Sequence, residues 1–482
     1  MIRKNTFCWS CVMVLFLTSI TTFAQQRLTS FKNVLKENST DIKDVIPVVN
    51  KENGNTIMFI ADAKNVYGYK LNPEFQLIDK LASETKKRKY KIFIGGDIHG
   101  QDYRIFLSNT SQNKFASINF SFTNKTTSST EFKLPQYEYF VQTIAPKNKL
   151  YLLTADKNSG NLYLYSFDKN GTPIKDKINL ESTHIVGKYD RAVKIATLLT
   201  GQESVQKIEK DTPNAIETVS DPVKMYVRDG NIIITFDQNK KVTYVLNIDI
   251  ESKNSSTKVY DKPLANLKSS RKKTNSFIYG DYMFGIAANK EIFSMHILDY
   301  PSGNFIKEYA VSKNEKISFK NTPIIQEGGA YNSYRELEKT KKFLRKITSE
   351  NIGISVIKIA GDYLFTIGGY VNQRQGGGMM MMGGGFGAIP IGTIGSATFF
   401  FNPTMFAYNS FSNTKSTRIE GVFNDNFEHI PNKEIPENVF DKINDSKTYN
   451  ETAKTVFRYK DFFIKGDYNT RTKIYHLKKF TE

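Results

Sequence analysis

The chain has almost no cysteine. Of its 482 residues only Cys8 and Cys11 carry a thiol, and the single tryptophan, Trp9, lies between them. All three fall in the first 24 residues, which read as a targeting segment. Arg3 and Lys4 make a short basic start, an apolar run follows from about Cys11 to Ile20, and Thr22-Phe23-Ala24 precede Gln25. Charged, apolar, then small is the order of a secretory signal peptide. The apolar run is about half of what a membrane span needs. Neither cysteine follows that run, which does not suit a lipid-anchored cleavage site. Residues 1–24 are therefore expected to be removed. The mature chain then holds no disulfide, no thiolate metal site and no cysteine nucleophile. Loss of the tryptophan also weakens a sugar-binding reading, although tyrosine stacks on sugars as well.

Long apolar runs are missing after the first 24 residues, so no transmembrane span is expected once the signal is gone. The expected location is extracytoplasmic: periplasmic, associated with the outer membrane, or secreted. Acidic residues are outnumbered, with 48 Asp and Glu against 67 Lys and Arg and a net charge of +19. Outside the cytoplasm that excess meets no nucleic acid. Its expected counterparts are an anionic membrane or envelope surface, or an acidic protein partner. A generic basic surface that aids solubility accounts for the same numbers.

Motifs of chemistry are missing too. There is no G-x-S-x-G, no H-E-x-x-H and no P-loop. "TADKNSG" at 154–160 and "FDKNG" at 167–171 lack the spaced carboxylates and closing Glu of a calcium loop. No catalytic residue, metal ligand or cofactor is assigned, and the oligomeric state is left open.

What the chain has is a repeat. Short runs of Tyr, Phe, Ile and Val alternate with polar residues and are cut by Gly, Asn, Asp and Ser. In residues 139–180, "YFVQTIAP", "LYLLTAD", "NLYLYSFD" and "PIKDKINL" read as four strands joined by hairpin turns, one of them Asn-Gly. Comparable units begin near 56, 91, 223, 276, 355 and 455, a period of roughly 40–60 residues. The last unit has three strands and lacks an outer one. "RLTSFKNVLKEN" near the N-terminus has no partner of its own and is expected to supply it. The chain resembles seven-bladed β-propeller proteins of the secreted or envelope type, without a WD, kelch or NHL consensus. The fold class is all-β, one domain over residues 25–482 with a short helical insertion. Insertions are expected at about 184–215, 331–347, 374–396 and 425–451.

"GGDIHGQDY" at 95–103 contains Gly-Asp-x-His-Gly-Gln. It resembles the first metal-binding motif of the metallophosphoesterase family, which would make Asp97 and His99 metal ligands. Such chemistry needs further ligands for two metals. No Gly-Asp-x-x-Asp-Arg-Gly or Gly-Asn-His-Glu follows, and the whole chain has five histidines. "YGDYMF" at 279–284 and "AGDYLF" at 360–365 point instead to Gly-Asp as recurrent turn chemistry.

Alternating strand direction sorts the loops onto two faces. Blade-to-blade connections share a face with the loops between second and third strands. That face is expected to carry "SETKKRKYK" with Lys86, Lys87 and Arg88, and "LKSSRKKT" with Arg271, Lys272 and Lys273. It is also expected to carry the basic helix with Lys339, Lys341, Lys342, Arg345 and Lys346, the insertion at 184–215 and the acidic connection at 425–451. "QGGGMMMMGGGFGAIPIGTIG", residues 375–395, falls between "YLFTIGGYV" and "TMFAYNSF", read as second and third strands of the sixth blade. Its four consecutive methionines do not suit a Cu(I) site, because they cannot all turn inward. Two readings stay open: a tolerated low-complexity insert, or a contact element of Met379, Met380, Met381, Met382, Phe386, Ile389 and Ile391. The function that fits is a non-enzymatic binding or scaffold propeller of the bacterial envelope. The alternative is a secreted enzyme or glycan-binding propeller with its site at the channel mouth.

Overall fold

The computed structural model describes residues 25–34, 42, 44–181, 183–187, 190–201, 205–267, 271–328, 334–370, 402, 404–405, 407–409, 416–447 and 453–481. Residues 1–24 and 371–400 lie outside them, and with these the targeting segment and Met379, Met380, Met381, Met382, Phe386, Ile389 and Ile391.

The described strands form seven sheets of four or five strands, antiparallel except where Gln206–Lys207 joins one of them, arranged as a β-propeller. From the channel outward, blade one is Asp44–Val49, Thr56–Ala61, Val66–Leu71 and Leu77–Ala82. Blade two is Ile92–His99, Asp102–Ser108, Lys114–Ser121 and Thr126–Lys133. Blade three is Glu138–Ile144, Tyr151–Asp156, Leu162–Phe167 and Pro173–Lys177. Blade four is Val223–Arg228, Asn231–Phe236, Val242–Asp249 and Ser255–Asp261, and blade five is Lys273–Tyr279, Tyr282–Ala288, Ile292–Asp299 and Phe305–Ser312. Middle strands are buried almost throughout, as in Thr56–Ala61, whereas outer strands such as Thr126–Lys133 are largely exposed and polar. Strands covered on both faces must be apolar on both, which accounts for their near-continuous apolar runs.

The ring closes as the sequence predicts. Blade seven is Thr455–Tyr459, Phe462–Asn469 and Ile474–Phe480, and its outer strand is Gln25–Lys32, paired antiparallel from Gln25 opposite Phe480 to Lys32 opposite Ile474. Pairing the two ends removes two open sheet edges. Phe31 in the closing strand stacks on Tyr69 of blade one at 4.5 Å. Similar aromatic pairs join other neighbouring blades: Phe59 with Phe120 at 4.9 Å, Phe106 with Phe167 at 4.4 Å, and Phe284 with Phe365 at 5.2 Å.

A second regularity follows from strand twist, roughly −20 to −25° per strand. The outer strand of a blade leans over the lower hairpin of the next. Asp79 meets Lys125, Thr130 Oγ1 donates to the Asn170 carbonyl (2.9 Å), Asp176 meets Lys253 (3.6 Å), and Lys258 donates to the Pro301 carbonyl (2.8 Å).

Blade six departs from the simple repeat. Its first two strands are Asn351–Ile359 and Asp362–Tyr370, and its third is Ser416–Phe423. "TMFAYNSF" is not that strand: residues 404–405 and 407–409 are helical. Met405, Ala407 and Tyr408 pack against Phe440, Val456 and Phe463 between blades six and seven, and the Tyr408 hydroxyl bonds Asn444 (2.7 Å). The outer strand, Ile324–Glu327, comes from upstream and continues into Arg335–Leu337. The helix expected from 331 therefore begins only at Thr340 and ends at Ile347, with Phe343, Leu344 and Ile347 buried.

Candidate functional site

The channel is filled by the chain itself. Between blades three and four, Gln206–Lys207 lie parallel to Val223–Arg228 on its channel side, and the Ile208 amide donates to the Met225 carbonyl (2.9 Å). The chain turns at 209–214, where the Asn214 amide bonds the carbonyls of Thr212 (2.8 Å) and Glu209 (3.4 Å). A single helical turn, Ile216–Val219, then leads back to the upper end, where the inner strands begin. There Tyr370 donates to Glu217 (2.9 Å), and Asn275 bonds the carbonyls of Ser220 (2.9 Å) and Ile352 (2.8 Å). Gly353 permits this approach, since a Cβ there would lie 2.9 Å from Val219 Cγ2. Ile208, Ile216 and Val219 are buried in the core of blades five and six. The insertion expected to stay on the upper face at 184–215 therefore crosses the ring with its last ten or so residues. Apolar side chains at 208, 216 and 219 find a dry partner only in the channel.

At the lower mouth several blades converge on the tip of this plug. Arg458 of blade seven donates to the carbonyls of Asp211 (3.0 Å) and Lys210 (3.4 Å) and faces the Asp211 carboxylate at 3.4 Å. The Tyr279 hydroxyl of blade five donates to Asp211 (3.2 Å) and accepts from the Lys358 amide of blade six (3.1 Å). Burial pushes Tyr279 up to about 12. Lys207 donates to the Thr143 carbonyl of blade three (3.3 Å). Burial lowers the Lys207 ammonium against the pull of Glu209, and raises the Glu209 carboxyl against Lys207, Lys51 and Arg458. The lower hairpins of blades one and three meet beside this group: Asn148 donates to Asn50 and accepts from the Lys51 amide, both at 3.2 Å.

The upper-face residues named from sequence are treated differently by the structure. Residues 83–91, and of the second stretch the described 267 and 271–272, do fall between consecutive blades, but at the boundaries of blades one and two and of blades four and five, well apart around the ring. Lys86 is half-buried and bonds the carbonyls of Ala63 (3.1 Å) and Tyr90 (3.3 Å), and burial lowers its pKa. Lys87 pairs with Glu131 at 2.7 Å, which Lys89 and Tyr90 also bind. Lys272 is buried and spent on the carbonyls of Leu264 (2.7 Å) and Ala265 (3.3 Å), because a loop without regular pairing needs donors for its carbonyls. Lys273 begins a strand opposite Ala288. Arg88 and Arg271 are exposed. The exposed Lys341, Lys342 and Arg345 stand on the helix Thr340–Ile347, which does lie at the upper end, with Ile347 against Gly369 and Thr340 bonded to the Glu315 carbonyl.

The acidic connection expected on the upper face instead starts on the lower one. Phe427 packs on Tyr282 (4.7 Å) and Tyr363 (4.9 Å), and Asp425 pairs with Lys358 (2.6 Å), before the chain reaches the helix Val439–Asn444.

Asp97 and His99 lie on the inner strand of blade two rather than in its turn, which falls at Gly100 and Gln101. Both carboxylate oxygens of Asp97 accept from Arg104, at 2.9 and 2.8 Å, and His99 Nε2 lies 2.6 Å from the same guanidinium. Arg104 also donates to the Asp168 carbonyl of blade three (2.7 Å). This is a buried inter-blade tie. Among the described residues no three His, Cys, Asp or Glu side chains are grouped to hold a metal, and no helix is long and apolar enough to cross a membrane.

The chain matches no family model and no curated protein. Solved structures that align include a Synechocystis apocarotenoid oxygenase variant at 8% identity and TM-score 0.29, over 58% of this chain and 62% of that one. A cobalt-substituted form of that oxygenase aligns at 8% and 0.29, over 60% and 65%. The Dos1 propeller aligns at 9% identity and TM-score 0.30, over 91% of this chain and 77% of that one. This chain thus spans less than two thirds of the oxygenase. The architecture rests on its own seven sheets: a seven-bladed β-propeller closed by its two terminal strands and filled by an internal plug.

Proposed function

We propose that this chain is a non-enzymatic binding or scaffold propeller of the bacterial envelope. It works outside the cytoplasm and engages a protein partner or an anionic surface through its upper face. One observation carries the reading. The connection from Tyr370 to Ser416 leaves and re-enters the fold on that face, where residues 215–221 already fill the channel. A deep substrate cavity is displaced there by protein, so loops are left to make contact. Met379, Met380, Met381, Met382, Phe386, Ile389 and Ile391 are the apolar part of that contact, and thioethers adapt to irregular apolar surfaces. Arg88 and Arg271 add cations, each worth about 1 kcal/mol beside anionic headgroups.

Deleting residues 376–395 tests this. Thermal stability is expected to hold, while co-purification with native membranes or with the cross-linked partner is lost. Undiminished association by the deletion protein would sink the upper-face reading.

A further inference from the structure

We infer that the upper outer corner between blades one and two binds a flexible polymer carrying closely spaced phosphate groups. The site rests on the upper-face reading and names one place on that face. Five exposed cations meet there: Lys87, Arg88 and Lys89 on the connection from blade one, Lys114 at the head of the third strand of blade two, and Lys133 at the end of its outer strand.

Glu131 ties them together. Its carboxylate lies 2.7 Å from Lys87 and 3.2 Å from Lys89, and it accepts from the Tyr90 hydroxyl (2.8 Å). Glu131 sits directly opposite Ala116, which belongs to the core shared with blade one. Lys133 is two residues further along the same strand, on the same side and about 7 Å away. Lys114 is directly opposite Lys133, which sets their Cβ atoms about 5 Å apart. Among the described residues Glu131 is the one carboxylate bonded to any of the five cations, and three donors already share it. Five cations against one anion leave four positive charges in one corner. The bond from Lys87 holds the Glu131 carboxyl down to about 2, so that anion is already counted at neutral pH. A charge run on a loop is ordinarily solvated. Like charges set opposite each other on paired strands destabilise the sheet, and a bound anion removes that cost.

The ligand follows from the kind and spacing of the cations. Four of the five are lysines. Lysine meets phosphate as a point charge, whereas planar recognition of a carboxylate favours arginine. Spacings of about 5 to 7 Å call for several anionic groups on one molecule. Among the described residues no large apolar side chain of these three segments is exposed, and a bilayer contact draws on buried apolar area as well as charge. A polymer lying along the corner needs only the charges.

The test is calorimetric titration of the full mature chain with short-chain polyphosphate, polygalacturonate and phosphatidylglycerol vesicles. Polyphosphate is expected to bind at least about tenfold tighter than polygalacturonate, and more weakly as salt rises. Lys114→Ala with Lys133→Ala, and Lys87→Ala with Arg88→Ala, are each expected to weaken binding by about tenfold or more. The first pair relieves a repulsion, so it is expected to melt no lower than wild type; a lower melting point would show that the two lysines serve the fold instead. Lys341→Ala with Lys342→Ala removes the same charge at blade six and is expected to bind like wild type. Equal weakening by that control overturns the site, since net charge alone would then account for binding. No heat from polyphosphate up to ~1 mM overturns it too. Polygalacturonate bound as tightly overturns the phosphate class. Vesicles bound, with loss in the corner variants, while polyphosphate is ignored, overturn the polymer. The 376–395 deletion is expected to bind polyphosphate normally, so failure at this corner and failure of the upper-face reading are told apart.

Discussion

Arg458 Nη1 lies 3.0 Å from the Asp211 carbonyl oxygen and 3.4 Å from its carboxylate, tying blade seven to an insertion that leaves the ring between blades three and four. The contact is a chord across the channel. Neighbouring blades are held by packing along their whole length, but blades four and seven are not neighbours.

Arg458→Ala should therefore lower unfolding free energy by about 1–3 kcal/mol, the range for lost hydrogen bonds to a charged group. Lys358→Ala, which removes the exposed pair with Asp425 at 2.6 Å, should cost less than about 1 kcal/mol. Urea denaturation of both variants gives the comparison. Equal costs would show that the chord carries no special strain.

The closing strand makes a second expectation. Phe31 is 5% exposed and stacks between Tyr69 at 4.5 Å and Tyr475 at 5.7 Å. Phe31→Ala should cost about 3–5 kcal/mol. Removal of residues 25–32 should bare the edge of Ile474–Phe480 and promote association. Thermal scans with light scattering check both. A truncated chain that melts like the intact one and stays monomeric would contradict closure.

Much of this fold was legible in sequence because hairpin blades are local. Alternation marks the strands, and Gly or Asn marks turns such as Gly171, at φ 82°. Reading failed where structure is non-local. "DVIPVV" at 44–49 carries Pro47, which argues against a strand. As an innermost strand it pairs on one side only, so the missing amide is tolerated. "TMFAYNSF" has the composition of a strand, but Met405 and Tyr408 are claimed by a helical contact with Phe440. Residues 205–221 have no internal period, because their partners are Thr143, Met225, Tyr279 and Arg458. Asp211 and Arg458 lie 247 positions apart and share no motif, so nothing in spacing joins them.

The Asp97–Arg104 pair yields a third prediction. Asp97 is 2% and Arg104 1% exposed, with two bonds between them. Losing one partner leaves a buried charge unmatched, so Asp97→Asn should cost about 3–5 kcal/mol. His99→Ala, at the wetter end of the same strand, should cost less than about 1 kcal/mol. Denaturant midpoints decide it. If Asp97→Asn is as stable as wild type, Asp97 is not a structural tie and its motif needs another account.

His296 supplies the pH dependence. It sits mid-strand in blade five, 9% exposed and directly opposite Gly285, where any Cβ would lie 2.3 Å from its Nε2. Burial pushes its pKa down to about 4, from an ordinary value near 6.5. The folded chain therefore keeps the imidazole neutral where the unfolded chain protonates it. That contribution is complete above about pH 6.5 and is lost as pH falls toward 4, amounting at most to about 3 kcal/mol. His296→Leu should flatten the slope between these values while leaving the remaining acid sensitivity of carboxylates in place. Urea midpoints of both proteins at several pH values between 7 and 4 measure the difference. Parallel curves would mean that His296 is protonated in the folded state without penalty, and that its strand opens to water.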